Sequence, residues 1–458
     1  MKRRRFAQLT SHFLTGVVLA NCAKTSEILT KTTNPQNKKL KIWWEEGFYP
    51  EEIDALKDII VEWEGTSTIA VELTVIAQKD ILTDLENAVE EGNPPDIFYS
   101  GSGDLTVIPR LAWNNQLVDV SDIVVPLQNK YSLNALVGVN YRNKETQQRS
   151  YYAVPLMQSA IHIHYWEDLL VNKVGEKRDT IPKDWQNFWD FWTQAHDKLQ
   201  NNGMQDIYGI GMPMSICLDT YNNFEQFLES YDARILNSSG QLNISNPQTK
   251  QALSKALEAY TRFFQEGTVP PGAVTWDNTG NNVSVLSQES LMTVNHTLSA
   301  PGSQRNDPTT YFRRLSTIKW PQKPNGEPMR FVVELKQAVI FGKSDKVEAA
   351  KEFLAFLAQP ENLATYTKGA QGRYLPVMPT LFDDPFWQDA KDPHISVAVE
   401  QLQNTRPAYQ VFNPAYGEVA EQNVWGNVIR KIAVDNLSIE QATEQAIAQI
   451  EQIFSEWQ

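Results

Sequence analysis

A regular alternation of strand-like and helix-like segments between residues 40 and 99 constrains the fold more than any other feature of this sequence. Short apolar or β-branched runs at 40–44, 69–76 and 96–99 are typical of buried strands. Segments 50–63 and 81–89 carry apolar residues at helical spacing. This β-α-β-α-β order predicts a parallel sheet flanked by helices, with ligands bound at the carboxyl ends of the strands.

Three further helices are predicted in the rest of the chain, at 184–199, 344–357 and 438–457. The first has Asp184 as its N-cap and a stripe of aromatic residues that is typical of a helix facing a core. The last begins with the capping-box pair Ser438 and Gln441. Because 458 residues are too many for one ordinary domain, we expect an α/β protein of at least two domains or lobes.

The first residues have the pattern of an export signal, which we place at 1–21. Basic residues at 2–5 precede an apolar run at 13–20 that is too short to span a bilayer. Cys22 follows Leu19-Ala20-Asn21, which resembles the lipobox of bacterial lipoproteins except that Asn21 replaces the usual small residue. Polar residues then continue, so 22–39 is predicted to be a lipid-anchored, flexible tether. The alternative is cleavage after Ala20 with Cys22 left free, and either the general secretory or the twin-arginine route fits the basic residues.

The charge balance narrows the class of partner. The chain has 55 Asp and Glu against 41 Lys and Arg, a net charge of −14. Such a surface repels phosphate backbones, so nucleic acid is not expected as a partner. Two cysteines are too few for a disulfide framework, and Cys217 is predicted to be a buried small hydrophobe.

The sequence contains no recognisable catalytic or cofactor motif. It has neither C-x-x-C nor H-E-x-x-H, no complete glycine-rich phosphate loop, and no G-x-S-x-G turn. His162 and His164 share one face of a predicted strand, but no third metal ligand is evident nearby. We therefore predict no catalytic residue, no metal and no cofactor. Abundant carboxylates leave one enzymatic alternative, an exported glycoside hydrolase or lyase.

Five segments in order carry a family resemblance: 40–46 (LKIWWEE), 91–99 (EGNPPDIFY), 151–172 with 183–199, 291–295 (LMTVN), and 346–377 with EAAKEFLAFLAQPEN and GRYLPV. Together they resemble the family 1 extracellular solute-binding proteins, the maltose-binding-protein-like receptors that deliver sugars to ABC importers. Glu334 and His296 depart from the residues that relatives often have at these places. These two differences affect which ligand is expected, and they leave the family resemblance unchanged.

The resemblance implies two α/β lobes in a periplasmic-binding-protein fold of type II, with the ligand in the cleft between them. It places lobe 1 at 40–152 and 335–376 and lobe 2 at 153–334 and 377–458. Strands that cross between the lobes are expected near 153–156, 334–338 and 375–377. The implied partners are a sugar, the permease subunits of an ABC transporter in the inner membrane, and a lipid anchor at Cys22. The implied location is the periplasm, on the outer side of that membrane.

A sugar presents hydroxyls at its edge and C–H patches on its faces, so its site needs aromatic platforms beside polar side chains. Segments at strand ends and crossings supply such residues. The predicted ligand-binding residues are Trp43, Trp44, Glu45, Ser100, Ser102, Asp104, Gln158, Trp276, Asp277, Asn295, His296, Glu334, Arg373 and Tyr374. Besides the enzyme, the alternatives are a receptor for a polyol, a peptide or a metal.

Overall fold

The computed structural model of the chain describes residues 39–457. The predicted export signal and tether lie outside this range, except that Lys39 begins the first strand instead of ending the tether. The strands are β1 (Lys39–Glu45), β2 (Ala70–Ile76), β3 (Ile97–Ser100), β4 (Asn140–Arg142), β5 (Arg149–Tyr151), β6 (Val154–Ser159), β7 (His162–Trp166), β8 (Tyr208–Gly211), β9 (Ser290–Asn295), β10 (Leu315–Ile318), β11 (Phe331–Ile340), β12 (Leu375–Pro376) and β13 (Thr405–Pro407).

Within residues 39–457, helices pack against both sheets. They are α1 (Pro50–Glu64), α2 (Ile81–Glu90), α3 (Val107–Trp113), α4 (Ser121–Val124), α5 (Leu133–Gly138), α6 (Glu167–Leu169), α7 (Trp185–Asn201), α8 (Leu218–Ser230), α9 (Pro247–Gln265), α10 (Gly280–Leu286), α11 (Ser299–Gly302), α12 (Val347–Leu357), α13 (Pro360–Gly369), α14 (Pro385–Gln388), α15 (Ile395–Gln401), α16 (Ala415–Glu421), α17 (Val424–Asp435) and α18 (Ile439–Glu456).

The predicted β-α-β-α-β unit is confirmed. β1 pairs in parallel with β2 on one side and β3 on the other, so that Ile42 lies opposite both Leu73 and Ile97. α1 begins at Pro50, whose fixed φ angle suits the first turn of a helix. Its apolar stripe is buried against the sheet, as the helical spacing predicts.

The larger sheet contains seven strands in the order β12-β6-β11-β3-β1-β2, with β13 beside β11. All ten residues of β11 are buried, and the strand runs antiparallel to β3 and β6. A register shift between Lys336 and Gln337 marks a bulge, which bends a strand locally. The three predicted crossing segments fall on β6, β11 and β12, which lie side by side in this sheet.

The smaller sheet has the order β10-β7-β9-β8. α7 packs on it, and the Asp184 carboxylate accepts a hydrogen bond from the Asn187 N–H (3.1 Å), which confirms the predicted N-cap. Trp189 and Trp192 are fully buried, so the aromatic stripe of this helix belongs to the core as predicted.

Of the other two predicted helices, α12 begins later than predicted and α18 has the predicted N-terminal cap. α12 begins at Val347 rather than Ser344, because the Ser344 hydroxyl donates to Asp96 (2.6 Å) and accepts from the Lys346 N–H (2.9 Å) in a turn ahead of the helix. α18 has the predicted capping box, in which Ser438 accepts from the Gln441 N–H (3.2 Å) and donates its own N–H in return (3.4 Å).

Each sheet has its own hydrophobic core. One core lies on the larger sheet with α1, α2, α12 and α13, and includes Trp44 and Phe98. The other lies on the smaller sheet with α7, α8, α9, α17 and α18, and includes Trp189 and Trp425. Among residues 39–457, no helix is both long and apolar enough to cross a bilayer. The candidate site lies where the two cores meet.

Candidate functional site

The candidate site lies at the junction of the two cores, beyond the carboxyl ends of β1 and β3, as expected for an α/β sheet. Its deepest part is a cavity of about 70 Å³, which we call the inner chamber. The chamber is lined by Phe48, Gln78, Gly101, Ser102, Leu218, Asp219, Asn222, Asn278, Thr279, Asn282, Asn295, His296, Thr297, Ser299, Glu334, Lys336, Arg373 and Tyr374.

A wider space of about 760 Å³, which we call the outer groove, adjoins the inner chamber. Its walls include Lys79, Glu86, Ile216, Cys217, Trp276, Asp277 and Glu421. The two spaces share four lining residues: Gln78, Ser102, Leu218 and Asn278. Chamber and groove therefore form one continuous site.

Strand β11 carries a charged pair into the chamber. Glu334 and Lys336 are two residues apart and so share one face of the strand, with a Nζ–Oε2 distance of 2.7 Å. His296 Nδ1 lies 3.0 Å from the other oxygen of Glu334, and Lys336 donates to the Gly101 carbonyl (2.5 Å). Burial alone would raise the pKa of Glu334, but the attraction of His296 and Lys336 outweighs it and lowers that pKa to about 2. Glu334 is therefore ionised at neutral pH.

The guanidinium of Arg373 is held between two aromatic rings. Its Cζ lies 4.5 Å from the centre of the Tyr374 ring and 5.2 Å from that of Phe48. Arg373 also donates to both oxygens of Glu52, at 3.3 and 3.4 Å. Burial raises the pKa of Glu52 in spite of this pairing. Phe48 remains 42% exposed, so one part of its ring is free to contact a ligand.

Two carboxyl groups near β11 have pKa values shifted toward neutrality. Burial raises the pKa of Asp219, a chamber residue, to about 7, and nearby Glu334 adds to the shift while His296 opposes it. Burial likewise raises the pKa of Asp104 to about 7. Asp104 accepts a hydrogen bond from the Leu335 N–H (2.7 Å) and so supports the backbone of β11 from behind the chamber.

A network of amides and hydroxyls forms the opposite wall. Asn295 ends β9 and donates its side-chain amide to Asn282 (2.5 Å), which donates to the Ser299 hydroxyl (3.1 Å). The side-chain oxygen of Asn295, Oδ1, accepts a hydrogen bond from the Thr297 N–H (2.8 Å). These bonds fix the loop that presents His296 to Glu334.

The structure brings several of the predicted site residues together at this site. Those that line the inner chamber are Ser102, Asn295, His296, Glu334, Arg373 and Tyr374. Trp276 and Asp277 line the outer groove. Sequence position at strand ends and crossings was the signal for the chamber residues, and a polar loop was the signal for Trp276 and Asp277.

Other predicted residues line neither space. Glu45 accepts from the Ser100 hydroxyl and the Gly101 N–H, both at 2.7 Å, so it holds the turn after β3 in place. Gln158 donates to the Pro376 carbonyl (2.6 Å) and ties β6 to β12. Ser100, Asp104 and Gln158 are buried behind the chamber wall. These side chains shape the site without lining it.

The two adjacent tryptophans of β1 also lie away from the cavity walls. Trp44 is completely buried, stacked on Tyr99 with a centroid distance of 4.3 Å, and its indole N–H donates to the Tyr366 hydroxyl (2.9 Å). Trp43 is partly buried and packs against the same core. Alternation along β1 puts Trp44 on the buried face with Leu40 and Ile42, whereas the partly buried Trp43 shares its face with the exposed Lys39 and Lys41.

Sequence reasoning missed Phe48, Asp219, Asn222 and Lys336. Lys336 follows Glu334 at the two-residue spacing of a strand face, which was a usable signal. Phe48 lies in the loop after β1, where a strand-end argument could have found it. Asp219 begins a helix far away in sequence from the other chamber residues, and no local pattern marks it.

The histidines of β7 have hydrogen-bonding roles. His164 Nδ1 lies 2.8 Å from the Thr317 hydroxyl, which also lies 2.6 Å from His394 Nδ1. His162 Nδ1 lies 3.1 Å from the Gln401 amide. Burial lowers the pKa values of His164 and His394 to about 3, so both are neutral at pH 7. No group of three or more potential metal ligands occurs in the described part of the chain.

Comparison with known proteins places the chain in a family. Residues 60–396 match the family model described as bacterial extracellular solute-binding protein. A putative ABC transporter periplasmic-binding protein of Escherichia coli strain K12, YcjN, is 23% identical in an alignment of 376 residues that covers 77% of this chain and 76% of that protein.

Solved structures show the same architecture. An ABC transporter solute-binding protein of Thermotoga lettingae bound to α-D-tagatose superposes with a TM-score of 0.74 at 17% identity, over 91% of this chain and 99% of that one. Maltose-bound MalE3 of T. maritima gives 0.72 at 18% identity, over 90% and 99% of the two chains. The predicted two-lobed α/β binding-protein fold is thus confirmed. With the family model covering most of its length, this chain belongs to the bacterial extracellular solute-binding proteins.

Proposed function

We propose that this chain is the substrate-binding receptor of a bacterial ABC importer and that it captures a sugar for delivery to the membrane permease. The observation that carries the proposal is the inner chamber, where ion-paired and amide side chains converge beside the rings of Phe48 and Tyr374. The similarity to an ABC transporter periplasmic-binding protein, and to proteins solved with tagatose and maltose, supports the same function.

The chemistry of the chamber wall suits hydroxyl groups, which donate and accept hydrogen bonds at once. Arg373 Nε is buried and lacks a hydrogen-bond partner within residues 39–457. A buried polar atom without a partner costs about 1–3 kcal/mol. A sugar hydroxyl that accepts from the Arg373 Nε–H removes this cost, so binding is favoured beside Arg373.

We propose that the two lobes close over the ligand by bending at the crossing strands. Lobe 1 would comprise 40–152 and 335–376, and lobe 2 would comprise 153–334 and 377–458. Contacts between the two cores outside the crossings support closure: the Tyr49 hydroxyl donates to the Ser299 carbonyl (2.8 Å), and Arg110 pairs with Glu421 (2.8 Å). Hinge closure gives a transporter a ligand-dependent shape to recognise.

We also propose that the chain releases its sugar unaltered. The chamber carboxylate Glu334 is held by Lys336, and Glu52 is held by Arg373, which suits binding rather than proton transfer. The enzymatic alternative, a glycoside hydrolase or lyase, requires a product. Incubation of the purified chain with each sugar it binds, followed by chromatography, tests this: recovery of intact sugar is expected, and catalytic release of a cleaved sugar would contradict the proposal.

Cys22 is proposed to carry a lipid that anchors the protein on the outer side of the cytoplasmic membrane. The supporting observation is its lipobox-like sequence context. Mass spectrometry of the mature N-terminus tests it, with fractionation of Cys22→Ser as the control. An acylated Cys22 and a release of the variant from the membrane are expected, and an unmodified N-terminus at Asn21 would contradict the anchor.

A thermal-shift screen of the purified chain tests the sugar-binding proposal. The panel contains tagatose, maltose, maltotriose and laminaribiose, with the polyols sorbitol and glycerol as the alternative class. A ligand at 100 times its dissociation constant stabilises the folded state by about 2.7 kcal/mol. Stabilisation by at least one sugar is expected, and at the same sugar concentration it should be about half as large or less in Glu334→Ala. Stabilisation by polyols alone, or by no member of the panel, would contradict the proposal.

A further inference from the structure

We propose that the site accepts uncharged sugars and rejects acidic ones such as uronates, and that Asp219 sets this preference. The inference rests on the proposed sugar-binding function and adds the class of sugar. Asp219 lines the inner chamber, where its side chain is half-buried. It forms no salt bridge with any residue between 39 and 457, and this sets it apart from the other acidic residue of the chamber.

The cations of the chamber are already neutralised. Lys336 Nζ lies 2.7 Å from Glu334, and Arg373 lies 3.3 Å from Glu52. Each therefore already has a carboxylate partner, and the nearby His296 is likewise paired with Glu334 (3.0 Å). Above its pKa of about 7, Asp219 adds a negative charge with no salt-bridge partner among residues 39–457.

The start of α8 does not compensate for this charge. The N–H groups of Leu218 and Asp219 both point to the side-chain oxygen of Asn278, at 2.8 and 3.3 Å. Helix N-termini attract anions through such unpaired N–H groups. Here Asn278 occupies them, and the carboxylate of Asp219 is itself the anion nearest the helix end.

The outer groove also carries more acidic than basic side chains. Asp277, Glu86 and Glu421 line it against a single cation, Lys79, within the described wall. Arg110 lies at the edge and is shared between Glu86 and Glu421 (2.8 Å each). Above pH 7, where Glu421 is ionised, the three acids outnumber Lys79 and Arg110 by one, which disfavours an acidic sugar, whereas a hydroxyl can donate to each carboxylate.

The chemistry predicts a specific pattern of affinities. At pH 8, about one unit above the pKa of Asp219, a uronate brought beside its carboxylate is repelled, and its affinity is expected to be about tenfold lower than that of the matching neutral sugar. Asp219→Asn keeps the size of the side chain and removes its charge. In the variant, the affinity for the uronate should rise relative to the affinity for the neutral sugar, so that most of the gap between the two closes.

Calorimetric titration tests the pattern with four probes: maltose, laminaribiose, and each of them oxidised to a uronate at C6 of the non-reducing ring. Wild type, Asp219→Asn and Asp219→Ser are compared, and Glu258→Gln, outside both cavities, is the matched control. At pH 8 we expect a strong preference for the neutral member of a pair in wild type and control, and a gap narrowed several-fold in both Asp219 variants, which should melt no lower than the wild type.

The outcomes separate the inference from the function on which it rests. Equal or tighter binding of a uronate by the wild type would overturn the inference alone. A preference that persists unchanged in both Asp219 variants would overturn the assignment to Asp219. Failure of all four probes to bind would count against both the inference and the sugar-binding function.

Discussion

Phe48→Ala is expected to weaken sugar binding while leaving the fold nearly intact. The side chain lies in the loop after β1 and is 42% exposed at the inner chamber. An aromatic side chain has about 200 Å² of surface, so about 80 Å² is available to a ligand, and at about 25 cal/mol per Å² full coverage contributes about 2 kcal/mol. A sugar stacked on one ring face covers about half of this area. The expected loss is therefore about 1 kcal/mol, or about fivefold in affinity.

Isothermal titration calorimetry with the sugar that binds the wild type measures this loss, and thermal melting measures the cost to the fold. Phe48 contacts Tyr49 edge-on (5.1 Å) and Arg373 (5.2 Å), so a stability loss of about 1 kcal/mol is expected. Phe312→Ala is a matched control, because Phe312 is 48% exposed and lines neither cavity. Wild-type affinity in Phe48→Ala, or the same loss in Phe312→Ala, would refute the stacking argument.

Three further variants test other parts of the account. Trp44→Ala should lower the free energy of unfolding by about 3–5 kcal/mol in a denaturant titration, because the indole is fully buried; unchanged stability would show that Trp44 is not a core residue. Arg373→Met should also cost about 3–5 kcal/mol by leaving Glu52 buried without its cation, and Glu52→Gln in the same chain should restore part of this loss. Asp219→Asn should raise stability relative to the wild type at pH 8 but not at pH 4. The folded-state pKa of Asp219, about 7, lies above the value of about 3.9 in an unfolded chain, so its carboxyl destabilises the fold progressively as pH rises between these values. Denaturant titrations across this range measure the difference, which should reach about 2–4 kcal/mol, and a difference that is independent of pH would contradict the assigned shift.

The helices and strands of the β-α-β-α-β unit could be predicted because the sequence patterns that mark them are local. Apolar spacing and flanking turn residues located β1, α1, β2, α2 and β3 to within about two residues. Ser344 shows the limit of such reasoning at a boundary. Its hydroxyl binds Asp96, which is distant in sequence, and the helix starts three residues later than the pattern predicts.

Sequence patterns identified site residues only where a single segment of the chain determined their position. Alternation showed that Trp43 and Trp44 face opposite sides of β1, but Trp44 is buried in the core, Trp43 packs against it beside exposed lysines, and neither ring lines the cavity. Asp219 joins the chamber through the packing of α8 against β9 and β11, a tertiary contact that its neighbours in sequence do not encode. Glu334 was identified as a departure from relatives, and its partners His296 and Lys336 explain how a buried carboxylate is tolerated there.

The central claim is that the chamber between the two cores binds a sugar. Its most direct test is a calorimetric titration of the full mature chain and of Glu334→Ala with the sugar that most stabilises the wild type. The account predicts one intact sugar bound per wild-type chain and a loss of at least about tenfold in affinity in the variant, because its chamber lacks the carboxylate held by His296 and Lys336. Equal affinity in the two proteins, with both correctly folded, would place the sugar elsewhere and contradict the account.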